Sequence, residues 1–382
     1  MSSAPSPLHR LSALGQSVWI DSLSREWIRG GRLQQLIDDD AVVGATSNPT
    51  IFQKAMSSGD AYDEQLRTLK GTSELASSDV EQAFWTLAEQ DISEACDLFR
   101  STWEEGLGRD GYVSIEVDPR LAYDSLQTFR EAMRLHEAID RPNLLVKIPA
   151  TKPGLAAIED VISKGRSINV TLIFSLRRYA EVAESYIRGL ERLVAEGGDP
   201  SKAASVASFF VSRIDTEADR RLDELSPDEL DPAHPHDELK GRLAVANAKL
   251  AYRYYQHIFQ GPRWDYLAGK GATPQRVLWA STSTKNPAYP DTLYLDELIG
   301  PDTINTMPEE TIRAFQDHGL PRPSLNEGLA EAQAVLDELA EAGVVYDEVT
   351  DTLEREGVEK FEASFRELLD SLSAKLGALT LA

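Results

Sequence analysis

Eight short runs of apolar, largely β-branched residues recur along the chain, and most are followed by signals that begin a helix. Strands that alternate with helices indicate βαβ units and a parallel sheet. Eight repeats favour closure of that sheet into a (β/α)8 barrel, and a doubly wound open sheet is the alternative. The runs are SVWI (17–20), AVVGA (41–45), YVSIEV (112–117), NLLVKI (143–148), INVTLIF (168–174), SVASFFV (205–211), RVLWAS (276–281) and DTINTM (302–307).

The stretches between these runs carry helical periodicity. Residues 178–198 place apolar side chains on one stripe and end in a glycine pair suited to a helix C-cap, and residues 239–261 repeat the pattern up to a Gly-Pro pair. The 66 or so residues between the second and third strands, about 46–111, leave room for two or more extra helices. The polar, proline-rich residues 223–240 predict a surface loop.

The C-terminal part of the chain is predicted to belong to the same domain as the barrel. Residues from about 324 to 380 are interpreted as helices that cover the barrel and not as a second domain. The sequence thus predicts an α/β fold, one TIM barrel domain over residues 1–382 with extra helices. The barrel occupies about 16–320, and a helical C-terminal extension follows.

Charge and cysteine content restrict the partners of the protein. The chain of 382 residues has 39 Lys and Arg against 63 Asp and Glu, a formal net charge of −24. A surface this acidic repels nucleic acid and anionic membranes, so we expect neutral molecules or small anions as partners.

Cys96 is the one cysteine, and we see neither a signal peptide nor an apolar run of about 18 residues. We expect a reducing cytoplasm; the sequence does not indicate an oligomeric state.

Motifs for nucleotide or metal binding are weak. GLGRDG (106–111) matches the letters of a dinucleotide fingerprint, but it precedes a strand instead of following one, so we interpret it as a turn. The six histidines lack HExxH spacing, and Cys96 has no CxxC partner. We therefore predict no cofactor and no metal ion.

Chemically able side chains occur at or near the C-terminal ends of the predicted strands. Lys147 lies in LLVKIPA with apolar neighbours on both sides, and Glu116 has a similar position in the third strand. The C-terminal ends of barrel strands form the face where barrel enzymes keep their chemistry, so we expect these side chains at the mouth of the lumen. The other residues assigned to this mouth are Asp21, Asn48, Asn169, Thr171, Ser208 and Phe210.

Each of these residues has a structural alternative. Lys147 could extend to solvent or pair with Glu116. Asn48 and Asp21 could cap helices, and Thr171 could make a local hydrogen bond. The joint pattern at one face favours a catalytic site instead.

The residue types permit carbon–carbon bond chemistry on a polyol. Burial of Lys147 disfavours its ammonium form, and the neutral amine can attack a ketone to form a Schiff base. Glu116 beside Thr171 could hold a water for the dehydration step, and Asp21 could act as the base that drives bond cleavage. The amides of Asn48 and Asn169 could hold substrate hydroxyls in the reacting geometry.

Six segments in family order resemble transaldolases, enzymes of the non-oxidative pentose phosphate pathway. The likeness extends from about residue 16 to about 320 and implies a (β/α)8 barrel with Lys147 as the Schiff-base lysine. It also implies Glu116 and Thr171 as the pair that handles the catalytic water, and Asp21 as the acid/base. Asn48 and Asn169 would bind the dihydroxyacetone unit, and Ser208 and Phe210 would line the site. The segments are TSNPTIF, VSIEVDPRLAYD, NLLVKIPAT, INVTLIFS, SFFVSRID and WASTSTKNP.

The same resemblance implies sugar-phosphate substrates. Arg213 of SFFVSRID matches an arginine that grips the substrate phosphate, and its parity places it beyond the regular strand. Lys285 of WASTSTKNP stands where the family commonly has a second arginine. The implied reaction transfers dihydroxyacetone from sedoheptulose 7-phosphate to glyceraldehyde 3-phosphate, giving erythrose 4-phosphate and fructose 6-phosphate. The alternatives are a fructose 6-phosphate aldolase and a catalytically silent barrel that binds sugar phosphates.

Overall fold

Eight parallel strands close into a barrel in the computed structural model, which describes residues 6–70, 77–225 and 236–381. Each strand pairs with the next in chain order, and the last pairs with the first. The predicted (β/α)8 barrel is confirmed, the open-sheet alternative is wrong, and every predicted run matches a strand to within one residue at each end. The strands are β1 (Gln16–Ile20), β2 (Val42–Thr46), β3 (Tyr112–Glu116), β4 (Leu144–Pro149), β5 (Ile168–Ile173), β6 (Ser205–Phe210), β7 (Arg276–Ala280) and β8 (Thr303–Met307).

Helices connect the strands and cover the outside of the barrel. Within the described ranges they are α1 (Pro7–Ala13), α2 (Arg25–Arg29), α3 (Arg32–Asp39), α4 (Pro49–Ser57), α5 (Asp63–Lys70), α6 (Ser77–Leu98), α7 (Arg100–Glu105), α8 (Ser125–Ile139), α9 (Lys152–Ser163), α10 (Leu176–Ala195), α11 (Ser212–Leu225), α12 (Leu243–Ile258), α13 (Pro262–Ala268), α14 (Leu293–Asp296), α15 (Glu309–His318), α16 (Leu329–Ala342) and α17 (Tyr346–Leu381). Short 3₁₀ turns span Pro119–Leu121, Pro200–Lys202 and Asp237–Leu239. None of the helices in these ranges is both long enough and apolar enough to cross a membrane.

The irregular parts of the chain follow the sequence predictions where the structure describes them. The predicted helices at 178–198 and 239–261 correspond to α10 and α12, and four helices, α4 to α7, fill the long connection between β2 and β3. Residues 106–111 form a turn before β3, as predicted. Most of the predicted surface loop, residues 226–235, lies outside the described residues. The assignment of the whole chain to one domain stays a prediction.

The barrel strands are buried on both faces. The seven strands other than β2 are buried at every position, and β2 has one half-buried residue, Val43. Helices cover the outer face, and side chains fill the lumen, as is typical of a parallel barrel. A polar side chain in such a strand must find its partners inside the barrel or at its mouth.

The last helix, α17, lies across the carboxyl-terminal mouth of the barrel. Near its start, Glu354 pairs with Arg178 of α10 at 3.2 Å, and further along, Ser364 accepts a hydrogen bond from Thr50 of α4 at 2.9 Å. Because α10 follows β5 and α4 follows β2, these contacts hold α17 on two sides of the mouth. The predicted helical cover after the barrel is therefore present, and it lies over the face where the candidate residues converge.

Candidate active site

The candidate residues gather around one cavity of about 370 Å³ at the carboxyl ends of the strands. Its wall includes most of the residues that the sequence singled out, and two others, Glu116 and Asn169, lie in the layer of strand side chains behind the wall. The structure thus brings the predicted set together at a single place. The predicted residues that line the cavity are Asp21, Asn48, Lys147, Thr171, Ser208, Phe210, Arg213 and Lys285.

Strand register places Lys147 between two other polar side chains. Lys147 is level with Glu116 of β3 on one side and with Asn169 of β5 on the other. Its Nζ donates a hydrogen bond to the carbonyl oxygen of Ser47 at 3.0 Å and lies 3.6 Å from Oε2 of Glu116. Only 5 % of the lysine is exposed, so its side chain remains inside the mouth and does not extend to bulk solvent.

Glu116 is a buried carboxyl group without hydrogen-bond partners. Neither of its oxygens makes a hydrogen bond within the described ranges, and the Oγ1 of Thr171 is equally unpartnered. Burial raises the pKa of Glu116 to about 7, although the nearby Lys147 acts in the opposite direction. A carboxyl group with this pKa exchanges its proton close to neutral pH, which is the property that a proton-transfer group needs.

The raised pKa of Glu116 should make the folding stability of the protein depend on pH. The carboxyl group of Glu116 has a pKa of 4.5 in the unfolded chain and of about 7 in the folded protein. Between these two pH values the folded state binds one proton more than the unfolded state does. The folding stability therefore falls as the pH rises through this range. We expect Glu116→Gln to gain about 3 kcal/mol relative to the parent chain across this window, since one pKa unit corresponds to about 1.4 kcal/mol. Thermal unfolding of both proteins from pH 4 to pH 8 measures this difference.

The control for this prediction is Glu137→Gln, which makes the same change at an exposed position of α8. Its difference in melting temperature from the parent chain should stay constant across the same pH range. A constant difference for Glu116→Gln as well would show that the carboxyl group does not titrate with a raised pKa in the folded protein.

Asp21 follows β1 and is held by a pair of threonines. Its Oδ1 accepts a hydrogen bond from Oγ1 of Thr46 at 2.6 Å, and Thr46 lies 2.8 Å from the hydroxyl of Thr306. Burial raises the pKa of Asp21, while the positive charge of Lys147 and the hydrogen bond from Thr46 lower it. Sequence reasoning missed both threonines, because a threonine within a β-strand is ordinary.

Asn48 caps a helix and also lines the cavity. Its Oδ1 accepts a hydrogen bond from the backbone nitrogen of Ile51 at 3.0 Å, so it caps α4, and its side chain also lines the cavity. Capping uses the amide oxygen and fixes the side chain. The amide nitrogen, a donor, is then available to a hydroxyl or carbonyl oxygen in the cavity.

Asn169 differs from Asn48 because its amide is engaged inside the wall. Its Nδ2 donates to Oγ of Ser114 at 3.1 Å, and its Oδ1 accepts from Oγ of Ser208 at 2.7 Å. The residue is fully buried and does not line the cavity. In this structure Asn169 fixes the position of Ser208, which does line the cavity.

A bulge in β5 shapes the wall next to Thr171. Val170 is level with Ala207 and Ile173 with Phe209, so β5 has one more residue than β6 over this stretch. The extra residue is accommodated at Leu172, whose φ of 60° is unusual for a non-glycine residue. Bulges of this kind redirect side chains near functional sites.

Cationic side chains also line the cavity. Arg213 lies at the start of α11, beyond the strand as its parity predicted, with its guanidinium 5.2 Å from the ring centre of Phe210. Lys285, in the loop after β7, donates a hydrogen bond to Ser283 at 2.6 Å. Burial lowers the pKa of Arg213, and burial together with the charges of Arg213 and Lys360 lowers that of Lys285.

Two lining residues come from α17, and sequence reasoning missed them. Lys360 and Phe361 belong to the C-terminal helix and reach the cavity because that helix crosses the mouth. Nothing in the pattern of an acidic amphipathic helix indicates which of its turns will face a site formed by the strands. The contribution of the helix becomes visible only in three dimensions.

The arrangement combines three chemical elements. A buried amine lies beside a carboxyl group with a pKa of about 7, a second carboxyl group lines the same cavity, and further cations line it as well. Over the described ranges, no group of three or more His, Cys, Asp and Glu side chains is arranged to hold a metal ion. The cavity has the groups to condense an amine with a carbonyl compound, to move protons around the adduct and to bind an anion.

Comparison with known proteins agrees with this chemistry. A family model described as Transaldolase/Fructose-6-phosphate aldolase matches residues 18–372. A protein named Transaldolase from Acidothermus cellulolyticus is 52 % identical over 371 residues, which cover 97 % of each chain. Proteins of the same name from Parafrankia sp. and Mycobacterium bovis are 50 % and 49 % identical, each over 97 % of this chain and over 98 % and 97 % of the relative. The chain belongs to the transaldolase/fructose-6-phosphate aldolase family.

Proposed function

We propose that the protein is a transaldolase that forms a Schiff base on Lys147. It transfers a dihydroxyacetone unit from sedoheptulose 7-phosphate to glyceraldehyde 3-phosphate and so produces erythrose 4-phosphate and fructose 6-phosphate. The observation that carries the proposal is the buried Nζ of Lys147, 3.6 Å from a carboxyl group whose pKa is about 7. The names of relatives that are about half identical over nearly the full chain support the same activity. A cytoplasmic location stays a prediction.

In the first step the Nζ of Lys147 gives up its proton and attacks the ketone carbon of the donor. The carbinolamine loses its hydroxyl group as water, and Glu116 supplies and then recovers the proton directly or through a water held with Thr171. The unpartnered oxygens of both side chains make them suited to this task. The product is a protonated carbon–nitrogen double bond, which can accept an electron pair from the neighbouring carbon–carbon bond.

In the second step Asp21 removes the proton from the hydroxyl group of the fourth carbon. The bond between the third and fourth carbons breaks, the aldose leaves as an aldehyde, and the electron pair enters the Schiff base to form an enamine. Thr46 donates a hydrogen bond to Asp21 and so fixes the direction of its carboxylate. The enamine then attacks the acceptor aldehyde, and hydrolysis of the new Schiff base releases the product ketose and restores the Lys147 amine.

Chemical trapping tests this proposal. Borohydride reduction in the presence of fructose 6-phosphate should leave a three-carbon adduct on Lys147, which peptide mass spectrometry locates. Lys152 lies nearby on an exposed helix turn and should carry no adduct, which makes it an internal control. Absence of the adduct from Lys147 would overturn the proposed mechanism.

The family also includes fructose 6-phosphate aldolases, which release free dihydroxyacetone. The presence of Glu116 beside the lysine favours transfer, because the resemblance assigns a carboxylate-held water to transaldolases. Incubation with fructose 6-phosphate, with and without erythrose 4-phosphate as acceptor, separates the two activities. A transaldolase turns over continuously only when the acceptor is present, whereas an aldolase accumulates dihydroxyacetone without it.

A further inference from the structure

We propose that Lys360 of α17 binds the phosphate group of the sugar substrate together with Arg213 and Lys285. The inference rests on the proposed function, because it names a further residue that contacts the substrate of the same site. It assigns to the C-terminal helix a role in selecting phosphorylated over unphosphorylated ketoses. The ligand chemistry is that of a phosphate monoester, presented by a sugar whose ketone lies at Lys147.

The positions of three cations around one end of the cavity carry the inference. Arg213 comes from α11, Lys285 from the loop after β7 and Lys360 from α17, and all three line the cavity that Lys147 also lines. Lys360 is close enough to Lys285 for its charge to lower the pKa of that lysine. Three separate elements therefore bring positive charges to one cavity. Asp21 and Glu310 offset part of that charge without forming ion pairs, so an anion that contacts the cations directly would stabilise the arrangement.

None of the three cations has a carboxylate partner. Within the described parts of the chain, no Asp or Glu oxygen lies within ion-pair distance of Arg213, Lys285 or Lys360. Asp21 and Glu310 line the same cavity and attract Lys285 electrostatically, but from beyond ion-pair distance. In a chain with 63 acidic and 39 basic side chains, partners for cations are abundant. These three cations thus remain available to an anionic ligand.

The backbone of α17 is fixed on both sides of Lys360. One turn before it, Gly357 packs so closely on Leu172 that an added Cβ would lie 3.0 Å from the leucine Cδ2. One turn after it, Ser364 accepts the hydrogen bond from Thr50. The next residue, Phe361, is buried. Lys360 itself is exposed at the mouth, so a long flexible side chain extends from an anchored backbone towards the site where the phosphate would arrive.

Titration with the donor alone isolates this contact, because no second phosphorylated substrate is present. The amount of borohydride-trapped adduct on Lys147 is measured against the concentration of fructose 6-phosphate and, separately, of fructose. We expect Lys360→Gln to raise the half-saturating concentration of fructose 6-phosphate about five-fold, as for loss of one solvent-exposed charge-assisted hydrogen bond. The maximum amount of adduct and the fructose curve should not change, and added salt should reduce the difference.

Matched variants separate phosphate binding from structural damage. Lys360→Arg should behave as the parent chain, and so should Arg366→Gln, which removes a charge from an exposed position of the same helix. Arg213→Ala should shift the fructose 6-phosphate curve further than Lys360→Gln does, since a half-buried guanidinium binds phosphate at two points. An unchanged curve for Lys360→Gln, or equal shifts with both sugars, would overturn the inference.

Calorimetric titration with inorganic phosphate provides a readout that does not depend on the lysine chemistry. We expect the dissociation constant for inorganic phosphate to rise in Lys360→Gln by a factor similar to that found for the phosphorylated donor. If the parent chain binds phosphate in this way but forms no adduct, the phosphate site stands and the proposed transaldolase mechanism fails. If Lys360→Gln binds inorganic phosphate as tightly as the parent chain does, the inference fails whatever the outcome of trapping.

Discussion

Replacing Lys147 by alanine is expected to lower the rate of dihydroxyacetone transfer by a factor of about 10⁴ or more. The amine forms the bond that makes the ketone an electron acceptor, and no other described amine of the cavity lies in ion-pair contact with Glu116. A steady-state assay with fructose 6-phosphate and erythrose 4-phosphate measures the loss. Trapping with borohydride should show no adduct in the same variant.

Two further variants distinguish loss of the Lys147 amine from a folding defect. Lys147→Met retains most of the side-chain volume but not the amine, so it should be folded by near-ultraviolet circular dichroism and equally inactive. Lys152→Ala removes a lysine from an exposed position five residues away and should retain full activity. Transfer above about one part in a hundred of the parent rate in Lys147→Ala would contradict the Schiff-base assignment.

The second large effect is expected at Asp21. Asp21→Ala should lower transfer by about 10²- to 10⁴-fold, the usual contribution of a positioned acid/base group. The amine of Lys147 and the carboxyl group of Glu116 remain, so the Schiff base still forms while the carbon–carbon bond does not break. Borohydride should then trap the complete six-carbon sugar phosphate on Lys147 in place of the three-carbon fragment.

The size of the trapped adduct makes this result specific. A merely unfolded or poorly binding variant would give less adduct of either kind, whereas loss of the cleavage base gives a larger adduct in normal amount. Asp39→Ala, at an exposed position of α3, serves as the control for removal of an aspartate. A three-carbon adduct in Asp21→Ala, formed as fast as in the parent chain, would assign the cleavage base to another group.

The fold could be predicted from the sequence because its signal is repeated. Eight apolar runs that alternate with helical stretches leave few alternatives, and because the strands are buried on both faces, each run is continuously apolar. The order of the strands around the barrel followed from their order in the chain. The register between strands did not, because apolar runs without alternation do not specify which residues lie side by side.

The candidate site was predictable to the extent that its groups are unusual for their surroundings. Lys147 and Glu116 stand out in buried strands, and the structure places them level with each other. Thr46 and Thr306, which hold Asp21, are typical strand residues and gave no signal. The hydrogen bonds of the Asn169 amide to side chains of other strands also could not be predicted from the sequence.

Residues brought to the site by helix packing could not be predicted either. An exposed lysine in an acidic helix is among the commonest features of a protein surface, and the position of Lys360 depends on contacts made by residues before and after it. Arg213 was found because its motif resembled a known family and because its parity placed it beyond the strand. Lys360 lies outside the segments that carried that resemblance.

On the proposed mechanism, the placement of α17 separates bond cleavage from donor choice along the chain. The proposed nucleophile and both carboxyl groups belong to β4, β3 and the residue after β1, whereas part of the cavity wall is built by a helix that follows every strand. Chimaeras that exchange this helix between relatives could therefore alter the preference for one ketose over another without disturbing the electron flow at the lysine. Enzymes for new aldol acceptors and donors can be sought by diversifying a helix that supplies none of the groups proposed to break the bond.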